Sequence, residues 1–158
     1  MYKDTTASLF DSFAALLEYP SSDFGEETQR CLELMRSTNP EAAELCEKFA
    51  NAIEGYSPQR MQELFTTTFD MQPVCYPYIG FHLYGESYKR GAFMAQLNEA
   101  YHGSAIQRNR NCPTIFAILR FIGFDSENRN SEFCQALLSD GVHPALEKML
   151  KVFDLKIH

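Results

Sequence analysis

The chain has 158 residues, 45% of them apolar, which is enough to bury one core without support from metal ions or disulfides. This composition excludes a disordered chain, a collagen-like repeat and a disulfide-stabilised scaffold. The formal net charge of −7 has the wrong sign for a protein that binds a phosphate backbone, so nucleic acid is not expected as a partner.

The negative charge is concentrated in the first half of the chain. Residues 1–70 contain 13 acidic and 5 basic residues, a net charge of −8, whereas residues 71–158 contain 8 and 9, a net charge of +1. An acidic half indicates a basic partner. The alternative is that these carboxylates lie on solvated helix faces and serve only solubility.

The cysteines and the apolar runs indicate the compartment. Five widely separated cysteines with no C-x-x-C pair predict reduced, mostly buried thiols of a cytosolic protein. The N-terminus lacks the charged region and the apolar run of a signal peptide. The longest wholly apolar stretch, residues 115–119, is far shorter than the roughly 20 residues of a membrane-spanning helix. We therefore expect a cytoplasmic protein that does not insert directly into a membrane.

Apolar residues recur at helical spacing from the start of the chain. A first helix carries Leu9, Phe13 and Leu16 on one stripe and is ended by Pro20, and a second is predicted over about residues 25–36. The pairs Asn39-Pro40 and Ser57-Pro58 each combine a capping side chain with proline at the first helical position, which predicts two more helix starts. In the first of these two helices, one face carries Leu45, Phe49 and Ile53.

Similar starts recur in the second half of the chain. Cys112-Pro113 begins the most apolar helix, which Gly123 is expected to end, and His143-Pro144 begins the last helix. Between them, residues 131–140 predict a short helix that ends at Gly141. No segment shows the sustained alternation of a strand. The sequence therefore predicts an all-α fold, a single-domain bundle of about eight helices that spans residues 1–158.

Two segments interrupt the helical pattern. Residues 103–111 are polar, and residues 69–85 contain two prolines and a dense set of rings, namely Tyr76, Tyr78, Phe81, His82 and Tyr84. A tyrosine packs its ring while keeping a hydroxyl for hydrogen bonding, so these residues suit a peptide-binding groove. The alternative is that at least half of these rings are buried in the core.

The motifs of common enzymes are absent from the sequence. It contains no glycine-rich phosphate loop, no H-E-x-x-H and no G-x-S-x-G, and its four histidines are far apart. Cys75 and His82 would supply mixed metal ligands, but their spacing matches no common motif. We therefore expect a protein that is not an enzyme and that holds no metal ion and no cofactor.

Residues 64–104 resemble the cytoplasmic assembly chaperones of molybdenum enzymes, the NarJ/TorD/DmsD-type or nitrate reductase delta-subunit family. The resemblance lies in the order of parts: a helix that ends in Thr68-Phe69-Asp70, a crossing rich in aromatic residues and prolines, and then Tyr84-Gly85-Glu86, Arg90-Gly91, Met94, Leu97 and Tyr101. Many relatives place Asp followed by His or Tyr at the start of the late helix. This sequence has Cys112, Pro113, Thr114 and Ile115 there.

The resemblance implies an all-α chaperone that binds the N-terminal leader peptide of a molybdenum-containing catalytic subunit and holds that subunit until its cofactor is inserted. Such a protein is a monomer or a homodimer that exchanges helices. We expect the client-binding surface around residues 76–90 together with the helix over residues 114–122. The candidate peptide-binding residues are Phe69, Tyr76, Tyr78, Phe81, His82, Tyr84, Glu86, Arg90, Phe116 and Arg120.

Two other functions stay open at this point. One is a helical protein that binds a small cofactor or nucleotide such as molybdopterin or GTP, with Lys89, Arg90, Arg108 and Arg110 contacting phosphates. The other is a helical adaptor without a client peptide. Within the chaperone hypothesis, Glu86 and Arg90 have the spacing of a helical ion pair, which either lies exposed or fixes a wall of the groove.

Overall fold

A computed structural model of the chain describes residues 5–71, 74–85, 87–102, 114–124 and 129–157. Within these ranges the chain is helical and forms no strand, which confirms the all-α class. None of the helices in these ranges has the length and apolar character needed to cross a membrane.

Within the described ranges the chain forms α-helices and two π-helical turns. The α-helices are α1 (Thr5–Leu17), α2 (Phe24–Thr38), α3 (Pro40–Ala52), α4 (Pro58–Phe65), α5 (Ile79–Tyr84), α6 (Tyr88–His102), α7 (Ile115–Phe124), α8 (Glu132–Ala136) and α9 (His143–Ile157). One π-helical turn, Thr66–Asp70, extends α4, and a second, Leu137–Val142, joins α8 to α9.

Side-chain caps fix the starts of α3 and α4, as predicted. The Asn39 side-chain oxygen accepts the backbone N–H of Ala42 at 3.1 Å, and the Ser57 hydroxyl accepts that of Arg60 at 3.1 Å. Gly55 lies in the turn between these helices at φ +82°, a left-handed conformation that favours glycine. The predicted start at Cys112-Pro113 lies outside the described residues.

The predicted helix end at Gly141 and the separate start at His143-Pro144 are wrong. The chain continues from α8 through the π-helical turn into α9 without a break. Leu137 and Val142 are buried, so packing against the core holds this turn in helical form. Pro144 cannot donate the hydrogen bond of a regular α-helix, and the wider turn before it lets the helix continue.

Helix α7 lies in the main core. Ile115, Ile118 and Ile122 are fully buried there, next to residues of α1, α5, α6 and α9. A Cβ added at Gly123 would lie 2.6 Å from the Cβ of Phe10, so the backbones of α1 and α7 approach each other at this glycine. A smaller cluster joins α2 to α3 through Cys31, Leu32, Met35 and Ala43.

Candidate functional site

Three tyrosines near α5 form an exposed set that we call the tyrosine surface. Tyr76, Tyr78 and Tyr84 are 44%, 37% and 36% exposed, and Phe81 and His82 are partly buried. The alternative that at least half of these five rings lie buried in the core is therefore wrong. The rings are available to a partner.

The extended stretch before α5 explains why the tyrosines face outward. Cys75, Pro77 and Ile79 are buried and alternate with the exposed Tyr76 and Tyr78. This period of two is the pattern of a strand-like backbone, in which successive side chains point to opposite sides. In the sequence the only sign of this is that two tyrosines alternate with Cys75, Pro77 and Ile79, over a stretch too short to predict a strand.

Backbone contacts tie this stretch to the start of α7. The Ile115 N–H donates to the carbonyl oxygen of Pro77 at 2.8 Å, and Tyr78 forms an isolated antiparallel bridge with Thr114. The expected proximity of residues 76–90 to the helix over residues 114–122 is therefore observed at its first turn. Ile79, the first residue of α5, is buried in the main core and connects the tyrosine surface to it.

Contacts among the rings hold the tyrosine surface in place. The centroids of the Tyr76 and Phe81 rings are 4.4 Å apart, and those of Tyr84 and Phe93 are 5.6 Å apart. The His82 Nε2 atom lies 2.6 Å from the Tyr76 carbonyl oxygen, to which it donates. That bond holds the His82 ring against the preceding extended stretch, and the Nε2 atom that carries this proton has no lone pair for a metal.

Cys75 and His82 do come together, with the Sγ and Nε2 atoms 3.8 Å apart. A protein metal site of the common kinds needs three or four ligands. Across the described ranges, no group of three or more His, Cys, Asp and Glu side chains is placed to hold a metal ion.

The remaining predicted residues are dispersed. The Cγ of Arg90 would be 3.2 Å from a Cβ added at Gly80, so the stem of Arg90 packs on α5 beside the tyrosine surface. Glu86, its predicted ion-pair partner, lies outside the described residues. Of Phe116 the structure describes only its place on α7.

Arg120, a predicted peptide-binding residue, forms ion pairs with Asp11 of α1 and with Glu18, which directly follows α1. Its guanidinium lies 2.5 Å from a carboxylate oxygen of Glu18 and 3.8 Å from one of Asp11. The ion pairs join α7 to α1 at the edge of a polar groove of about 720 Å³ that is also lined by α2. The guanidinium of Arg120 is therefore already paired with two carboxylates in the free protein.

Phe69 lines a different depression, which we call the apolar groove. This groove has a volume of about 440 Å³ and is bordered by α1, the start of α2, α3 and α4 with its π-helical turn. The Phe65 ring lies 5.3 Å from that of Phe69 and 5.4 Å from that of Tyr19, and the Phe24 and Phe49 rings are 6.2 Å apart. The groove was not predicted from the sequence, since its residues lie on elements far apart in the chain.

The cluster between α2 and α3 brings together two cysteines that the sequence leaves 15 positions apart, Cys31 and Cys46. Burial, together with the neighbouring Cys46 thiol, raises the pKa of Cys31 to about 12. A thiol with so high a pKa stays protonated at neutral pH and is a poor nucleophile. Cys31 is therefore a packing residue.

Comparison of the chain with protein-family models, with curated proteins and with solved structures finds no match. The described residues contain two surfaces that suit a protein ligand, the tyrosine surface and the apolar groove.

Proposed function

We propose that this protein is a cytoplasmic assembly chaperone that binds the N-terminal leader of a molybdenum-containing oxidoreductase catalytic subunit and holds that subunit for cofactor insertion. The proposal is supported by the order of parts in residues 64–104, which resembles the NarJ/TorD/DmsD-type chaperones. The observation that carries it is the tyrosine surface, in which the aromatic crossing of that segment presents its rings to solvent.

The chemistry of the tyrosine surface suits a peptide ligand. Tyrosine offers a large apolar ring with few rotatable bonds, so little conformational entropy is lost on binding. Its hydroxyl can bond to the backbone of an extended or helical peptide. Ile79 is buried, and the carbonyl oxygen of Pro77 accepts a hydrogen bond from the Ile115 N–H. The backbone that carries the rings is therefore held in place by the core.

The test is a titration of the full chain with fluorescent leader peptides of molybdenum enzymes encoded in the same genome. The wild-type protein should bind one of these peptides. The double variant Tyr78→Ala and Tyr84→Ala should bind it at least about tenfold more weakly, as expected when buried interface anchors are truncated. Thermal unfolding should show that the double variant stays folded, with a modest loss of stability from the Tyr84–Phe93 ring contact.

The matched control is Tyr56→Ala, which removes a similarly exposed tyrosine from the turn between α3 and α4 and should leave peptide binding unchanged. Equal binding by the double variant would place the client site elsewhere. Binding of GTP or molybdopterin without binding of any leader would overturn the proposal in favour of a cofactor-binding protein.

A further inference from the structure

We propose that the apolar groove binds the apolar face of an amphipathic helix whose opposite face is basic. This inference rests on the proposed function only for the source of that helix, which would be the client leader. The groove lies outside the segment that resembles the assembly chaperones, apart from its last residues on α4 and the π-helical turn.

The groove offers apolar surface at a scale that fits a ligand. Its volume of about 440 Å³ lies within the range of roughly 300–1,000 Å³ that is typical of binding clefts. Phe13 and Phe49 line it and remain exposed, although phenylalanine is a residue that folding usually buries. A contiguous apolar patch of this kind marks a surface that a partner covers.

The backbone of the walls indicates that the occupant is a helix. The Pro20 carbonyl already accepts from Gln62 Nε2 at 3.0 Å, and the Ile53 carbonyl accepts from the Tyr56 N–H at 3.0 Å. The Thr68 hydroxyl donates to the Leu64 carbonyl at 2.6 Å. An extended peptide is typically held by pairing with the edge of a strand, and the walls of this groove are helices and turns whose cited carbonyls already accept within the chain. A helix satisfies its own backbone and brings only side chains.

The charges next to the groove favour a basic occupant. Five acidic residues directly precede or follow lining residues in sequence, namely Glu18, Asp23, Glu54, Glu63 and Asp70. The basic residues that directly precede or follow lining residues are Lys48 and Arg60. A guanidinium nitrogen of Arg60 lies 3.6 Å from a carboxylate oxygen of Glu63.

Glu18 is engaged by Arg120, whereas Asp23, Glu54 and Asp70 are exposed. The excess of carboxylates attracts lysine and arginine side chains. A second copy of the chain would instead bring an equally acidic groove toward this one.

The probe is a synthetic amphipathic helix of about four turns, with leucines along one face and lysines on the other. Its fluorescence anisotropy should rise with added protein. The affinity should fall severalfold as salt increases from 0.01 to 0.15 M, because the Debye length shrinks from about 30 Å to about 8 Å. A scrambled peptide of equal composition and a peptide with glutamates in place of lysines should each bind at least about tenfold more weakly.

Substitutions in the apolar groove test whether the lysine peptide binds there. Phe49→Glu should weaken binding of the lysine peptide at least about tenfold, because a carboxylate would be buried against the apolar face of the helix. The control is Leu150→Glu, which changes an equally apolar, 65% exposed residue on α9 and should have no effect. If Phe49→Glu does not fold, as shown by circular dichroism, Phe13→Ser is tested in its place.

Unchanged binding by the groove variants would overturn the inference, as would equal binding of the glutamate peptide. So would a wild-type dimer that Phe49→Glu converts to monomer in sedimentation experiments, because the occupant would then be a second copy.

The two proposals fail in different ways. A leader peptide that binds wild type and Phe49→Glu equally, but not the tyrosine double variant, overturns only the groove assignment. A lysine peptide that binds the groove while no leader binds overturns only the chaperone proposal.

Discussion

Helices α7 and α3 both carry apolar residues at helical spacing, but the two stripes have opposite surroundings. On α7, Ile118 and Ile122 have no exposed surface. On α3, Leu45 is 67% exposed and Phe49 is 39% exposed. Helical spacing therefore predicts an apolar face but does not determine which element covers that face.

The small residues of each helix explain the difference. Gly123 lets α1 approach α7 closely, so the large side chains of α7 are enclosed by the main core. On α3 the residue buried against α2 is the small Ala43, with Cys46 beside it. Of the large residues of α3, Phe49 lines the apolar groove, where the proposed helix would cover it, and Leu45 is exposed.

Truncation of one residue from each stripe should give the largest difference in stability. Ile118→Ala should lower the free energy of unfolding by about 2–5 kcal/mol, because it leaves a cavity in a packed core. Leu45→Ala should change it by less than about 0.5 kcal/mol, as is usual for an exposed position. Urea-induced unfolding followed by circular dichroism measures both. A loss at Leu45 as large as that at Ile118 would mean that the α3 stripe is covered in the free protein.

The close approach of α1 and α7 gives a second, smaller contrast between two helical glycines. Gly123→Ala should lower the free energy of unfolding by about 1–3 kcal/mol, since the new methyl group would force Phe10 and α1 away from α7. Gly91→Ala on α6 meets nothing within 4 Å and should be neutral or stabilise by up to about 1 kcal/mol. Thermal unfolding measures the stability of both variants. If Gly123→Ala is as stable as Gly91→Ala, the contact between Gly123 and Phe10 is loosely packed.

Local signals in the sequence were sufficient for most of the fold. The caps at Asn39 and Ser57 depend on residues three positions apart, so a single sequence contains all that is needed to predict them. The break at Gly141 was predicted by the same kind of signal and is wrong, because burial of Leu137 and Val142 outweighs a local preference for a helix end.

The candidate site was harder to predict because it depends on contacts between distant elements. Tyr76, Tyr78 and Tyr84 were identified as candidates, and the structure leaves them exposed. The ion pair of Arg120 with Glu18 could not be predicted because the two residues are 102 positions apart in sequence. The apolar groove needs side chains from α1, α3 and α4 at once, and the sequence shows each only as part of a separate stripe.

The third prediction concerns the contact between α2 and α3. The pKa of the Cys31 thiol shows whether this contact excludes water, although the apolar stripe of α3 is exposed. Burial raises the pKa of Cys31 from its ordinary value of 9.0 to about 12. Between these pH values the unfolded thiol loses its proton and the folded one keeps it, so the unfolded state binds fewer protons and stability falls as pH rises. The loss should be about 1 kcal/mol between pH 9 and 10. Below pH 8 this contribution is constant.

Cys31→Ala should remove this part of the pH dependence. Urea unfolding of wild type and variant across the alkaline range measures it. Equal slopes would mean that water reaches the Cys31 thiol, and that α3 is as loosely covered on its α2 side as it is at Leu45.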